Sequence, residues 1–429
     1  MSYHRDHWKK WAYAVGEFVP GVYEAVVVVG EAERLARPQM TYQNGGHPLI
    51  AQGAWQFPGP PANMMRVNDF VQRIGGALAV AAGAPGAGGR ADMVEQLLHS
   101  VPPAELDAII RTIGPAGIGA LNLLVSAAEQ AGAWTFYHTQ DFINFLLENV
   151  SPHVLGLLGV HLGLCQPTIE EPWEEGGQDG WIQPAGPFVV FDDKKYRTDG
   201  GYRVEASTAP MAWQDMLQGA VADCWFLTST QAVVKANPAF MSRHVWANPN
   251  GSVSAVFYDR DTHQPQRMTV APDLPVRDWK LWGASGHTKD PAYAELWPGY
   301  YEKAFAQSRG GYEKINYGWG YEALPLITGR PIESLDPQSP NLAMEIHDRL
   351  SRGCAVVSAT VGDGSLNTVR LNGRLVGGHA YFVKDVDVQG RRICIGNPWG
   401  DNSTRSQWEC WLTPAEAWEH LQEVSVVLP

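Results

Sequence analysis

The sequence predicts an α+β chain in which a mostly helical first part precedes a mixed helix-and-strand second part. Two observations carry this. Between residues 66 and 165 apolar side chains recur at helical spacing, whereas after residue 188 short strand-like runs and aromatic residues take over. A Pro-, Gly- and Glu-rich stretch at 166–187 separates the two textures and reads as a linker. The predicted domains are therefore 1–165, of unassigned role, the linker 166–187, and a core at 188–429.

In the first part, residues 66–84 read as a helix and 81–90 carry Gly and Pro at linker density. Leu106, Ile109, Ile110 and Ile113 fall at i, i+3, i+4 and i+7, and Ile118, Leu121, Leu124 and Val125 continue the stripe beyond Gly114-Pro115. A further helix starts near Asp141, with Phe142, Phe145 and Leu146 on one face, and Pro152 ends or kinks it. His138, His153 and His161 have no carboxylate or thiol at ligand spacing, so they read as ordinary histidines. In the second part, helices are predicted at 224–236, 295–307 and 341–351. Strands are predicted at 188–191, 252–258, 355–360, 366–371, 379–386, 392–395 and 425–428.

Composition narrows the function. With 429 residues, 45% hydrophobic and 18% charged, the chain has the makeup of a globular protein of two or three domains. A net charge of −13 without a basic stripe argues against nucleic-acid binding. Five widely spaced cysteines (Cys165, Cys224, Cys354, Cys394 and Cys410), with no CxxC, favour free thiols in a reducing compartment over disulfides or zinc. The N-terminal residues are polar and lead into no signal-type core, and the apolar stretches 116–128 and 154–164 fall short of roughly 20 residues. The expectation is no transmembrane segment and a cytoplasmic location, or export without a cleavable signal.

The chemistry gathers around Gln218-Gly219-Ala220-Val221-Ala222-Asp223-Cys224-Trp225. Asp223 reads as an N-cap, and a thiol in the first turn of a helix lies in the positive end of the dipole, which favours the nucleophilic thiolate. A cysteine nucleophile needs a base and an orienting group. His379, entered through Gly377-Gly378, and Asn397, in Asn397-Pro398-Trp399-Gly400, sit on a predicted hairpin, and their even separation sends both side chains to one face. Asn397 can then hold one imidazole nitrogen while the other meets the thiol. Gln218, six residues before the cysteine, can add its amide N–H to the Cys224 N–H as an oxyanion hole. Trp399 covers the His–Asn bond, and Trp225 and Gly378 support the cleft.

These segments resemble the calpain family of cysteine proteases. Residues 215–227 look like its nucleophile segment. Gly378-His379-Ala380-Tyr381 and Asn397-Pro398-Trp399-Gly400 look like its other two signatures, and Glu295-Leu296-Trp297, 302–306 and 311–313 resemble its intervening helix. The resemblance covers residue 188 to the C-terminus. It implies a papain-like two-lobed core, with a helical lobe at 188–330 carrying Cys224 and a β lobe at 331–429 carrying His379 and Asn397. It also implies peptide-bond hydrolysis through a thioester on protein or peptide substrates. Two departures stand out: Val221-Ala222 replaces the family's usual Leu-Gly, so a methyl enters the cleft floor, and the hairpin between His379 and Asn397 is short.

No cofactor is required for this chemistry, but the resemblance implies calcium. Asp215 and Glu295 fall where the family's first core site has carboxylates, and Glu409 matches one from the second; a salt bridge or a helix cap is the alternative for each. The stretch 401–404 lacks the usual acidic partner. Two other functions stay open: a papain-fold amidase or acyltransferase of the deamidase or transglutaminase type acting on protein side chains, and a non-catalytic binding scaffold. The N-terminal domain is expected to bind a partner or to inhibit the core.

Overall fold

The computed structural model describes residues 57, 61–169, 180–184, 188, 211–278, 280–286, 289, 294–362, 369–400 and 408–429. The expectations for residues 1–56, 170–179, 189–191, 366–368 and 401–404 lie outside these residues. The described chain mixes helix and sheet, as the α+β reading predicts. It forms two compact units, one of residues 1–167, 247–254 and 268–273, the other of 168–246, 255–267 and 274–429.

Five helices of the first unit are α1 (Met64–Ala79), α2 (Ala87–His99), α3 (Pro103–Gln130), α4 (Phe136–Glu148) and α5 (Pro152–His161). Asn63 caps α1 by accepting from the Met65 and Arg66 N–H groups, and Thr135 and Ser151 cap α4 and α5. Helix α2 begins at Ala87, inside the stretch expected to be linker, because Gly86 takes a left-handed φ of 82° that lets the chain turn into it. Helix α3 joins the two predicted apolar stripes into one 28-residue element, kinked where Gly114 leaves helical geometry ahead of Pro115. Among the described residues it alone is long and apolar enough to cross a membrane, a length the sequence reading missed by stopping at the Gly-Pro pair. Its Leu106, Ile109, Ile110, Ile118, Leu121, Leu124 and Val125 are buried in the core of this unit.

This unit does not stop at the linker. Asn250 Nδ2 donates to the Leu147 and Val150 carbonyls, the Thr269 N–H donates to Asn144 Oδ1, and Gln166 Nε2 donates to Asp273 Oδ2. Two segments from far along the chain thus complete the polar bonding of α4 and its surroundings, which a boundary drawn from composition could not register.

In the second unit, α6 (Cys224–Ala236), α7 (Trp297–Arg309), α8 (Gly320–Thr328), α9 (Leu342–Ser351) and α10 (Pro414–His420) accompany a six-stranded sheet. Its strands are β1 (Glu333–Ser334), β2 (Ala355–Thr360), β3 (Ala380–Asp387), β4 (Arg392–Gly396), β5 (Glu409–Leu412) and β6 (Leu421–Val427). The order is β5-β4-β3-β2-β6-β1, with every pairing antiparallel. Helix α6 packs on β2, β3 and α8, and every residue from Trp225 to Val234 is buried. Its hydroxyls satisfy themselves on the preceding turn: Thr228, Ser229 and Thr230 donate to the carbonyls of Cys224, Trp225 and Phe226. Phe226 stacks on Phe305 of α7 at 3.9 Å between centroids. That packing sets the start of α6, and with it Cys224, against the middle of the sheet.

Candidate active site

The loop before α6 is tied down by backbone bonds from three directions. Leu217 N donates to Ser285 O, Gln218 N to Pro398 O and Ala220 N to Trp282 O, at 2.7–2.8 Å. Gly219 has no room for a side chain, since a Cβ there would lie 2.1 Å from the Trp282 carbonyl oxygen. Ala222 fits without strain. Its φ is not left-handed, its N–H donates to Asn316 Oδ1 at 2.9 Å, and its carbonyl accepts from the Tyr317 N–H. The extra methyl is therefore accommodated as part of the cleft wall.

Two expectations at this end of α6 are corrected. Asp223 occupies the N-cap position but its side chain caps nothing; it turns instead toward Glu302 and Gln218. Nor does the helix start make Cys224 a resting thiolate. Burial pushes the thiol up to about 11, and the Asp223 charge adds to this, although the N–H groups of Ala380, Trp225 and Cys224 pull the other way. Removing a sulfur anion from water costs more here than those donors return.

The Ala380 N–H also locates the histidine, because the sulfur faces the residue that follows His379. His379 Nε2 lies 2.9 Å from Asn397 Oδ1, which also accepts from the Trp399 N–H at 3.0 Å. The two residues are not opposite one another. Phe382 pairs with Gly396, so Asn397 falls opposite Tyr381, two residues from His379 and on the same face. The one-residue register shift between Val383 and Asp385 brings them to that shared face, since the turn-side register alone would set Asn397 opposite Phe382, three residues from His379. Thr360 Oγ1 accepts from the His379 N–H at 3.0 Å and donates to the Val376 carbonyl at 2.7 Å. The Trp399 ring lies 4.7 Å from the imidazole, and Tyr381 meets it edge-on at 5.1 Å. Gly378 enters the strand at a φ of 64°, a conformation that favours glycine. Burial lowers the imidazole to about 4, against the raising effect of the Asn397 bond. Burial thus disfavours the charged form of each group.

Cys224, His379, Gln218, Trp399 and Gly378 line one cleft of about 890 Å³. Trp225 lies behind it, its Nε1 donating to the Ile315 carbonyl at 2.8 Å. Gln218 Nε2 donates to the Val221 carbonyl at 2.8 Å and to Asp223 Oδ1 at 3.4 Å. Among the cleft residues that escaped the sequence reading are three aromatics, Tyr317, Trp319 and Tyr321, which are 65%, 37% and 40% exposed on its rim. The signal was the alternation Tyr317-Gly318-Trp319-Gly320-Tyr321. A Cβ at Gly318 would lie 2.6 Å from the Trp225 ring and one at Gly320 2.4 Å from Val357, so the glycines pack inward and the aromatics face out. Thr360 escaped as well, because nothing in its strand pattern marks a hydroxyl that holds a histidine.

The carboxylates named for calcium do not assemble a hard-cation site among the described residues, which contain no group of three or more His, Cys, Asp or Glu side chains able to hold a metal. Asp215 accepts from the Ala212 N–H and the Trp297 indole N–H. Glu295 is buried nearby, where its Cβ and the Asp215 carbonyl both flank Gly286. Glu409 is ion-paired with Lys384.

The comparisons with known proteins agree on the part of the chain involved. A sequence model of the family described as calpain family cysteine protease matches residues 204–425, just over half of the chain. The calpain-1 catalytic subunit of Rattus norvegicus is 31% identical over 244 residues, covering 52% of this chain and 31% of that protein. The calpain-2 catalytic subunit of Bos taurus is 28% identical over 238 residues, covering 52% and 31%, and a calpain of Schistosoma mansoni 27% identical over 226 residues, covering 49% and 29%. The chain spans about a third of the length of these curated relatives. It belongs to the calpain family of cysteine proteases and carries a cysteine-type endopeptidase core.

Proposed function

We propose that this chain hydrolyses peptide bonds through an acyl-enzyme thioester formed on Cys224, in a papain-like core whose helical and β lobes meet at the cleft. The observation that carries the reading is the His379 Nε2 to Asn397 Oδ1 bond at 2.9 Å, which leaves Nδ1 in the cleft that also holds Cys224. As the sulfur attacks the substrate carbonyl carbon, its proton passes to His379 Nδ1. The carbonyl oxygen gains the negative charge and accepts from the Cys224 N–H and the Gln218 Nε2–H. Collapse of this intermediate expels the amine, which takes the proton from His379. Water then attacks the thioester with His379 as base, releasing the acid and restoring the thiol. Asn397 keeps the imidazole in the required tautomer and orientation, and Trp399 shields that bond from water.

The aromatic rim at Tyr317, Trp319 and Tyr321 favours substrates with a large apolar side chain near the scissile bond. Residues 1–165 we read as a domain that recruits a partner or restrains the core. The test is incubation of the wild-type chain and Cys224→Ala with unfolded casein, with products read by mass spectrometry. New peptide termini that depend on Cys224 are expected. Deamidated or cross-linked side chains without new termini would replace this reading with the amidase or acyltransferase one, and cleavage by Cys224→Ala equal to wild type would overturn it.

A further inference from the structure

The aromatic rim of the cleft is fastened at both ends, and at one of them it carries backbone strain. Among the described residues, six other than glycine have a positive φ, and of these only Tyr317, at 61°, lines the cleft. The left-handed region suits glycine and disfavours a bulky side chain. The neighbouring Gly318 does not take that turn; its missing side chain makes room for the Trp225 ring instead. Three hydrogen bonds hold the strained segment against the nucleophile loop. The Tyr317 N–H donates to the Ala222 carbonyl at 2.9 Å, Asn316 Oδ1 accepts from the Ala222 N–H at 2.9 Å, and the Ile315 carbonyl accepts from Trp225 Nε1 at 2.8 Å. Little packing of the Tyr317 side chain offsets the strain, since the residue is mostly exposed. Strain of this kind persists only where the surroundings impose it, and it collects at binding sites.

The other end of the rim is tied to the sheet. Trp319, at the N-cap of α8, makes no side-chain cap. Glu423 of β6 supplies an acceptor from 102 residues away: its Oε1 accepts from the Tyr321 N–H at 2.8 Å. Ser425 Oγ donates to the same oxygen at 2.8 Å and so fixes the carboxylate. Within the helix start, Glu322 Oε2 accepts from the Trp319 N–H at 3.2 Å. A Cβ on Gly320 would lie 2.4 Å from Val357 and 3.1 Å from Glu423 Oε1, so this close approach of α8 to the sheet requires glycine. A register shift between Leu421 and Glu423 interrupts the pairing of β6 with β2 at this point. Gln422, at the shift, lines the cleft, while Glu423 meets α8. The Trp319 and Tyr321 rings stand nearly parallel, 19° apart at 6.2 Å between centroids.

We propose that Tyr317, Trp319 and Tyr321 form a subsite that selects one aromatic side chain of the substrate beside the scissile bond. Tyr317 is the selecting contact, and Glu423 is a positioning residue that holds the wall in place through the start of α8. An aromatic side chain laid on this wall meets ring faces and edges, and such pairs gain beyond the area they bury, which an aliphatic chain of similar size does not. Neither Tyr317 nor Glu423 takes part in proton transfer or in the attack, so both act on which peptides are cleaved. The proposal rests on the endopeptidase reading and narrows its large apolar side chain to an aromatic one.

The test begins with digestion of a mixed peptide library by the full wild-type chain, read by mass spectrometry. Phe, Tyr and Trp should be enriched at one position flanking the cleavage site. Peptides with Phe, Leu or Ala at that position then give kcat/KM, and wild type should prefer Phe to Ala by about 10- to 100-fold. Tyr317→Gly should cut that ratio about tenfold, while its Tm stays level with wild type or rises by about 1–3 °C as the left-handed φ is relieved. Tyr317→Asn, whose side chain also tolerates that region, should behave alike, so the result does not hang on one variant. Glu423→Ala should lower the ratio about three- to tenfold, and Glu423→Gln, which keeps the oxygen used by Tyr321 and Ser425, should restore most of it. A merely structural Glu423 would lower kcat/KM for all three peptides in the same proportion. The proposal is overturned if the library shows no aromatic preference, or if Tyr317→Gly and Tyr317→Asn keep the wild-type ratio or both unfold well below wild type. It is overturned equally if Glu423→Ala keeps the ratio or if Glu423→Gln is as impaired as Glu423→Ala. New termini that depend on Cys224 in those cases leave the endopeptidase reading standing; cleavage by Cys224→Ala equal to wild type removes the two together.

Discussion

The two walls of the cleft are held by different forces. On the nucleophile side, Cys224 and Gln218 adjoin ionisable side chains, the buried Asp223 and Glu302 and the half-buried Lys289, which lines the same cleft. On the histidine side, His379 is fixed by neutral hydrogen bonds alone, from Asn397 and Thr360, under two aromatic rings. The difference matters because a charged network can be disturbed by pH or by loss of one partner, whereas neutral bonds and packing change little with pH until the imidazole itself titrates. The oxyanion side should therefore be the more fragile functionally and the histidine side the more dependent on burial.

The largest expected effect tests the first wall directly. Gln218→Ala should lower kcat about 10²- to 10³-fold, with KM nearly unchanged, as for loss of one oxyanion donor. Steady-state kinetics on a peptide substrate measures it, and a loss confined to KM would move Gln218 from the transition state to ground-state binding.

The second wall has a pH signature in stability. His379 has a folded value of about 4, below its ordinary 6.5, so the unfolded chain takes up the proton first. Its contribution is present above pH 6.5 and is lost as pH falls toward 4, about 3 kcal/mol in all. Urea unfolding at pH 7.5, 5.5 and 4.5 should show wild type losing more stability than His379→Phe. Parallel curves would mean that the imidazole is not buried as described.

Thr360→Val keeps the shape of β2 but removes the hydroxyl that accepts from the His379 N–H. It should destabilise the protein by about 1–3 kcal/mol, because a buried donor loses its partner. The same variant should lower kcat several-fold without altering cleavage specificity. The smallest expected effect is that of calcium. With Cys224 and His379 already in one cleft and Glu409 paired to Lys384, chelation should change the rate less than about twofold. A rate that rises tenfold or more with added calcium would show that the walls are brought together by the ion.

Most of the second unit was legible because its signals are local. The helix at Cys224–Ala236 was bounded by an Asp before it and Asn-Pro after it, and the strand Ala355–Thr360 matched its apolar run. The even spacing of His379 and Asn397 gives one face only because a one-residue register shift near Lys384, which leaves no mark in composition, changes their offset from three residues to two. Helix α3 read as two pieces, since Gly114-Pro115 looks like a stop until packing on both sides holds the kinked segments in one element.

The residue types of the site, their order and the family to which they belong follow from the sequence by itself, because a thiol, an imidazole and two amides within recognisable segments need no coordinates to be identified. The titration states were decided by tertiary structure. Asp223 looked like a helix cap and turns instead toward Gln218 and Glu302, and burial disfavours the Cys224 thiolate that the helix start suggested. Both reversals have one cause: the cost of burying charge depends on what the fold packs around a group, and for Asp223 that includes Glu302, which arrives from 79 residues further along the chain.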